Sequence, residues 1–127
     1  MAAGAEGGDG RVADCLFCRI VAGEVPATVI HDDQRTLAFL DINPQAPLHA
    51  LVIPKRHIED AAAVTAADGE VLAAMVETAR EVARVAGFGG PDRGYRLVFN
   101  VGPDALNSVP HLHLHVLAGR PFEWPPG

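Results

Sequence analysis

Apolar and polar positions alternate along this chain with two different periods. Leu16, Phe17, Ile20 and Val21 recur at helical spacing, which predicts a short helix over 15–21, capped by Asp14 and ended by Gly23. Two β-type runs follow, Thr28 to His31 and Thr36 to Leu40, with Asp32-Asp33-Gln34 as a hairpin turn between them. Residues 41–47 hold two prolines and an asparagine and read as a loop. His49 to Ile53 reads as a buried strand closed by Pro54. Thr65-Ala66-Ala67-Asp68 is a variant capping box that opens the one long helix. Val71, Leu72, Met75, Ala79, Val82 and Val85 form its apolar stripe, and Gly87 stops it. Tyr95 to Asn100 and His111 to Leu117 are the last two strands, separated by a loop over 102–108.

The order is helix, three strands, long helix, two strands, with no internal repeat. That predicts an α+β fold built on an antiparallel sheet of about five strands, one face of it covered by the long helix. The other face or an edge needs a cover, and a homodimer supplies one. At 127 residues and 49% hydrophobic the chain makes one core and is not disordered throughout. Residues 1–13 are small and Gly-rich, with neither the apolar block of a secretion signal nor the arginines of a transit peptide. They are expected to be a disordered tail, leaving 14–127 as the domain of a cytoplasmic protein. No apolar run approaches membrane-span length. A net charge of −6 argues against binding nucleic acid through its phosphates.

Histidine changes the picture. Five of the six lie between His49 and His115, and His111, His113 and His115 alternate. On a strand they would form a row repeating at roughly 6.6 Å, with Leu112, Leu114 and Val116 on the opposite face. Such a row stabilises nothing by itself, since each ring has nitrogens that need partners. A solvated polar face, a zinc site and a nucleophilic imidazole all fit the pattern. Cys15 and Cys18 form a CxxC, a spacing that points to metal or redox chemistry in a reducing compartment. A thioredoxin-like site would want a preceding strand, and none is predicted. A closed tetrahedral site needs two more ligands, for which His57 and His111 are the candidates. A pair of reduced, partly buried thiols remains the simple alternative. His31 belongs to no motif and is expected to face solvent.

His111-Leu112-His113-Leu114-His115-Val116-Leu117 resembles the signature of the histidine triad (HIT) family. The resemblance continues through Phe39-Leu40-Asp41-Ile42, Pro44-Gln45-Ala46-Pro47, His49, Leu51-Val52-Ile53-Pro54-Lys55 and Gly94-Tyr95-Arg96. Asn100, Ser108-Val109 and Trp124-Pro125-Pro126-Gly127 extend it to the end of the chain, in the manner of the Hint branch. It implies a homodimeric hydrolase of purine nucleoside 5′-phosphoramidates. His113 would be the nucleophile, His115 would contact phosphate and assist proton transfer, and His49 would complete the proton relay, with His111 as the remaining triad member. Asp41 would bind the ribose hydroxyls, and Ile20, Phe39, Ile42 and Leu51 would sandwich the base. Asn100, Ser108 and Val109 would line the phosphate side, and Trp124 would reach towards the partner protomer. Several bacterial relatives suggest structural zinc at Cys15, Cys18, His57 and His111, with no organic cofactor. The alternatives carried with this reading are a Fhit-like dinucleoside polyphosphate hydrolase, a non-catalytic nucleotide-binding module, and a triad that binds catalytic zinc. The chain departs from the family at Leu106-Asn107, where Gly-Gln is usual, and at Pro110, where an aromatic residue is usual. The first departure puts the leaving-group preference in doubt.

Overall fold

Asp33 organises the first hairpin in this computed structural model, which describes residues 12–127. Its Oδ1 accepts the amides of Arg35 and Thr36, both at 2.8 Å, and fixes the turn between β1 (Val29–Asp32) and β2 (Thr36–Leu40). Asp33 Oδ2 lies 2.7 Å from His31 Nε2, so His31 has a carboxylate partner rather than solvent alone. β3 (Leu48–Pro54) is buried along its whole length because it has neighbours on both sides. β4 (Tyr95–Val98) and β5 (Leu114–Ala118) complete an antiparallel sheet of order β1-β2-β3-β5-β4. The expected α+β architecture with five antiparallel strands is present.

The two-residue period sorts the strands onto two cores. Ala38, Leu48, Ala50, Val52, Leu114, Val116 and Ala118 face α2 (Gly69–Val85), meeting Met75, Ala79 and Val82. Leu37, Phe39, Leu51 and Ile53 face the other way and meet Cys15, Phe17 and Cys18 of the α1 region (Leu16–Val21). α1 therefore covers part of the second sheet face, for which the sequence pattern alone suggests a homodimer partner as the cover. Within α2, Val85 leaves the expected stripe. The Gly87 turn (φ +93°) folds Phe88 back onto the core, its amide bonding the Ala83 carbonyl, and Val85 stays 70% exposed. Thr78 is buried in the stripe, its hydroxyl 2.7 Å from that of Thr36.

Local starts and stops differ from expectation in three places. Cys15, not Asp14, caps α1, its sulfur accepting the Cys18 amide. The capping box at Thr65 and Asp68 forms as expected but closes a 3-10 turn (Ala66–Asp68) that runs into α2. The last strand starts at Leu114 rather than His111. The register that pairs Val52 with Leu114 would next bring Leu112 opposite Pro54, which has no N–H to donate. The Leu112 amide bonds the Ile58 carbonyl instead, at 2.6 Å. Val12 already belongs to the fold, packing under α1 and donating its amide to Cys18 Sγ. The rest of the expected tail, 1–11, lies outside the described residues. Among those described, no helix is long and apolar enough to cross a membrane.

Candidate active site and metal centre

Histidines from β3, β5 and the extended segment before β5 converge on the sheet face that α1 only partly covers. The rings of His49, His111 and His113 are each oriented by a backbone group and that of His115 by His49, and those partners fix where each proton sits. His113 Nδ1 lies 2.7 Å from the His111 carbonyl, an acceptor only, so Nδ1 carries the hydrogen and Nε2 keeps its lone pair. His49 Nδ1 accepts the Gln45 amide at 3.0 Å, so the neutral ring carries its hydrogen on Nε2. That hydrogen points to His115 Nδ1 at 2.9 Å, with Asp41 Oδ2 3.4 Å away. His115 therefore carries its own hydrogen on Nε2. The His113 and His115 rings sit edge to face at 5.1 Å.

His111 is wired the opposite way. Its Nε2 donates to the Pro54 carbonyl at 2.9 Å, which frees the Nδ1 lone pair. That nitrogen lies 3.3 Å from Cys15 Sγ, 3.5 Å from Cys18 Sγ and 3.2 Å from His57 Nδ1, and Cys18 Sγ lies 3.4 Å from His57 Nδ1. A tetrahedral ion with zinc-like bond lengths needs ligand-to-ligand edges of about 3.3–3.8 Å. Three of the four separations fall in that range and the nitrogen-to-nitrogen edge, at 3.2 Å, lies just below it, and amides of Cys18 and Val12 donate to the two sulfurs as thiolate ligands require. The donor set suits a closed metal centre. His111 is fully buried there, so its ring is committed to the cluster with Cys15, Cys18 and His57, and its carbonyl is what bonds His113.

Asp41, His49 and His115 also bring three ligand atoms within 4.8 Å of one another. Here the wiring disfavours a metal. The Gln45 amide keeps the proton on His49 Nε2, the very atom a cation would need bare.

Burial holds His49 below its ordinary value against the opposing pull of Asp41. Burial, reinforced by His113 and His49, takes His115 down to about 4 from 6.5. The unfolded chain takes up protons on these rings below about pH 6.5. The folded chain holds His115 neutral until about pH 4. Stability is therefore full above this window and is lost as pH falls through it. The urea midpoint is expected to drop between pH 6.5 and 4, and a flat midpoint would mean the folded rings already carry protons.

The remaining expected site residues are placed unevenly. Phe39 and Leu51 are register partners under Ile20, forming an apolar floor, whereas Ile42 is fully exposed on the loop after β2. Val109 packs against the α1 core, Asn100 is half-buried just past β4, and Ser108 and Trp124 are exposed. Leu106 sits at φ +63°, a left-handed conformation that accounts for glycine being usual in the family at this position. The sequence reading missed two contributors. Phe17 stacks edge-on against both His111 (5.9 Å) and His113 (5.2 Å), and Gln45 acts through its backbone. Phe17 lies between the two cysteines, which was its only signal, and a backbone donor leaves none.

The HIT domain model matches residues 22–122. An uncharacterized HIT-like protein of Synechocystis is 45% identical over 114 residues, spanning 90% of this chain and 97% of its own. A 14 kDa zinc-binding protein of Zea mays is 42% identical over 116 residues, spanning 88% of this chain and 87% of its own. The crystal structure of a HIT family hydrolase from Legionella pneumophila superposes with a TM-score of 0.86 at 49% identity, covering 90% of this chain and all of that one. On the histidine row, the sheet that carries it and these matches, the chain belongs to the HIT domain family.

Proposed function

We propose that this chain is a hydrolase of purine nucleoside 5′-phosphoramidates acting through a nucleotidyl-His113 intermediate. One observation carries the reading: the His111 carbonyl holds the hydrogen on His113 Nδ1 and leaves Nε2 as an unprotonated nucleophile. The Nε2 lone pair bonds phosphorus, the P–N bond breaks, and its electron pair leaves on the amine, which takes up a proton from solvent with the assistance of His115 and His49. Water then attacks the phosphorus of the intermediate, the bond to Nε2 breaks and its pair returns to the ring, and a proton is released. Proton uptake and release balance over the cycle. As the new bond makes His113 cationic, the carbonyl already at Nδ1 stabilises that charge. His115 offers its Nε2 hydrogen to a phosphate oxygen, and Asp41 serves the ribose. Phe39, Leu51 and Ile20 floor the base site, which Ile42 closes once a base is bound, and Asn100, Ser108 and Val109 line the phosphate side.

The Legionella neighbour's description as a hydrolase supports the reaction class, and the maize relative's description supports zinc at Cys15, Cys18, His57 and His111. Zinc would hold α1 and His111 in place without touching substrate. The cytoplasmic homodimer expected from the sequence belongs to the same proposal. β4 has a strand on one side only, and exposed Phe99, Val101 and Trp124 lie beyond it or near the chain's end.

The test is AMP release from adenosine 5′-phosphoramidate and from diadenosine tetraphosphate, each with and without EDTA. Faster turnover of the phosphoramidate, surviving EDTA, is the expected result. Preference for the tetraphosphate would move the assignment to the Fhit-like class. AMP binding with no turnover of either would favour a binding module.

A further inference from the structure

The geometry points to a second small-molecule site, a basic cleft at the end of β3 that takes a phosphate monoester with an apolar body. The cleft has a volume of about 380 Å³, within the span of roughly 300–1,000 Å³ usual for small-molecule sites. Four segments far apart in sequence build it. They are the last residue of α1, the turn between β1 and β2, the end of β3 with the two residues after it, and the first turn of α2. None of its lining residues belongs to the nucleotide site proposed above or to the cysteine cluster. The one bridge is the Pro54 carbonyl, which accepts the His111 Nε2 hydrogen.

The charge lining the cleft runs against that of the molecule. The chain carries a net −6, yet Arg35, Lys55 and Arg56 all line the cleft, three of its ten arginines and lysines and its only lysine. Lys55 and Arg56 are neighbours in sequence, whereas Arg35 arrives through strand pairing. Thr36 is the register partner of Pro54, and the Lys55 amide donates to the Arg35 carbonyl at 2.8 Å, which pins the two basic segments side by side. Each cation has one carboxylate partner. Lys55 Nζ lies 2.5 Å from Asp32 Oδ1, Arg56 2.5 Å from Asp68 Oδ1, and Arg35 3.3 Å from Glu70 Oε1. None of these carboxylates lines the cleft, so the cations face it and their partners do not. Exposed ion pairs are weak in water, and the Arg35–Glu70 pair is the most exposed of the three. A dianion in the cleft can therefore recruit these cations without breaking a buried pair.

The remaining wall is apolar. Pro54 is buried and Val21 and Val71 are half-buried, while Gln34 is the single uncharged polar residue of the lining. A hydrocarbon or aromatic group lying on the two valines and the proline loses water without needing a hydrogen-bond partner. A doubly charged head meets three cations, and each guanidinium can hold two phosphate oxygens at once. A neutral apolar ligand would strip water from those cations and return nothing. Inorganic phosphate would leave the apolar wall wet. The lining thus selects a ligand with both parts.

The experiment is a titration of the full metal-loaded chain, labelled with 15N, with phenyl phosphate, followed by amide proton–nitrogen NMR. Saturable shifts are expected at Val21, Arg35, Lys55, Arg56 and Val71, with inorganic phosphate and phenol each binding there about tenfold more weakly or worse. Arg35→Gln and Lys55→Gln remove partly exposed charges and should leave the fold intact. Each is expected to weaken binding at the cleft by about fivefold or more, and in the wild type affinity should fall as salt is raised. Shifts confined to His49, His113 and His115, where the same probe meets the proposed phosphate subsite, would overturn the cleft. So would undiminished affinity in the double variant Arg35→Gln/Lys55→Gln. Phenol binding as tightly as phenyl phosphate would overturn the anion assignment, and inorganic phosphate binding as tightly would overturn the apolar one. Should a variant not fold, the wild-type shifts and their salt dependence decide. The cleft shifts are expected in His113→Ala as well, so the inference stands apart from the hydrolase reading.

Discussion

His113→Ala is expected to lower kcat/KM on adenosine 5′-phosphoramidate by about 1000-fold or more, since it removes the atom that forms the covalent bond. The loss should fall on kcat, because the apolar floor of Phe39, Leu51 and Ile20 and the ribose-binding Asp41 remain. AMP affinity should change little. The fold should also survive. The His113 ring is only half-buried, and its main internal partners are the His111 carbonyl and the edge of Phe17. Mass spectrometry of the acid-quenched wild type should show a nucleotidyl adduct that the variant lacks. Turnover that persisted in His113→Ala would remove His113 from the chemistry and leave the family fold intact. A variant that lost both turnover and AMP binding would point to a misfolded site, and its thermal midpoint would separate that outcome from true chemical loss.

The sequence showed the row of histidines but not its wiring. Alternation correctly sent Leu112, Leu114 and Val116 to the α2 side and the histidines to the other, because side-chain direction on an extended chain follows from period alone. It could not show that His111 and His113 leave the sheet. That depends on Pro54 arriving opposite Leu112, a matter of register between segments nearly sixty residues apart. Thr78 interrupts the helix stripe for the same reason: its partner Thr36 comes from another element, and a polar residue pays its way in the core only when paired. The groups that set the tautomers of His113, His111 and His49 are the His111 and Pro54 carbonyls and the Gln45 amide. Every residue but proline carries both kinds of group, so side-chain identity gives no hint of them. The cysteine cluster was the most legible part, since ligand chemistry names its residues and α1 is too short to set them otherwise.

Metal removal is the second large effect, and it should appear in stability before activity. α1 spans six residues, far fewer than a helix needs to persist alone in water. The cluster of Cys15, Cys18, His57 and His111 ties it to the sheet, and with it Phe17. Losing a metal there is expected to cost about 3–5 kcal/mol, hence roughly 10–20 °C in thermal midpoint for a domain of this size. Chelation and Cys18→Ser should give similar drops, and chelation of Cys18→Ser should add little. At temperatures where the stripped protein is still folded, turnover should persist, reduced because the His111 carbonyl that orients His113 is less well held. Scanning calorimetry with and without EDTA, paired with turnover at low temperature, separates the possible roles. Activity lost with the midpoint unmoved would place the metal in the chemistry. An unmoved midpoint with activity intact would leave the cluster as two reduced cysteines beside two histidines, with α1 held by its apolar contacts alone.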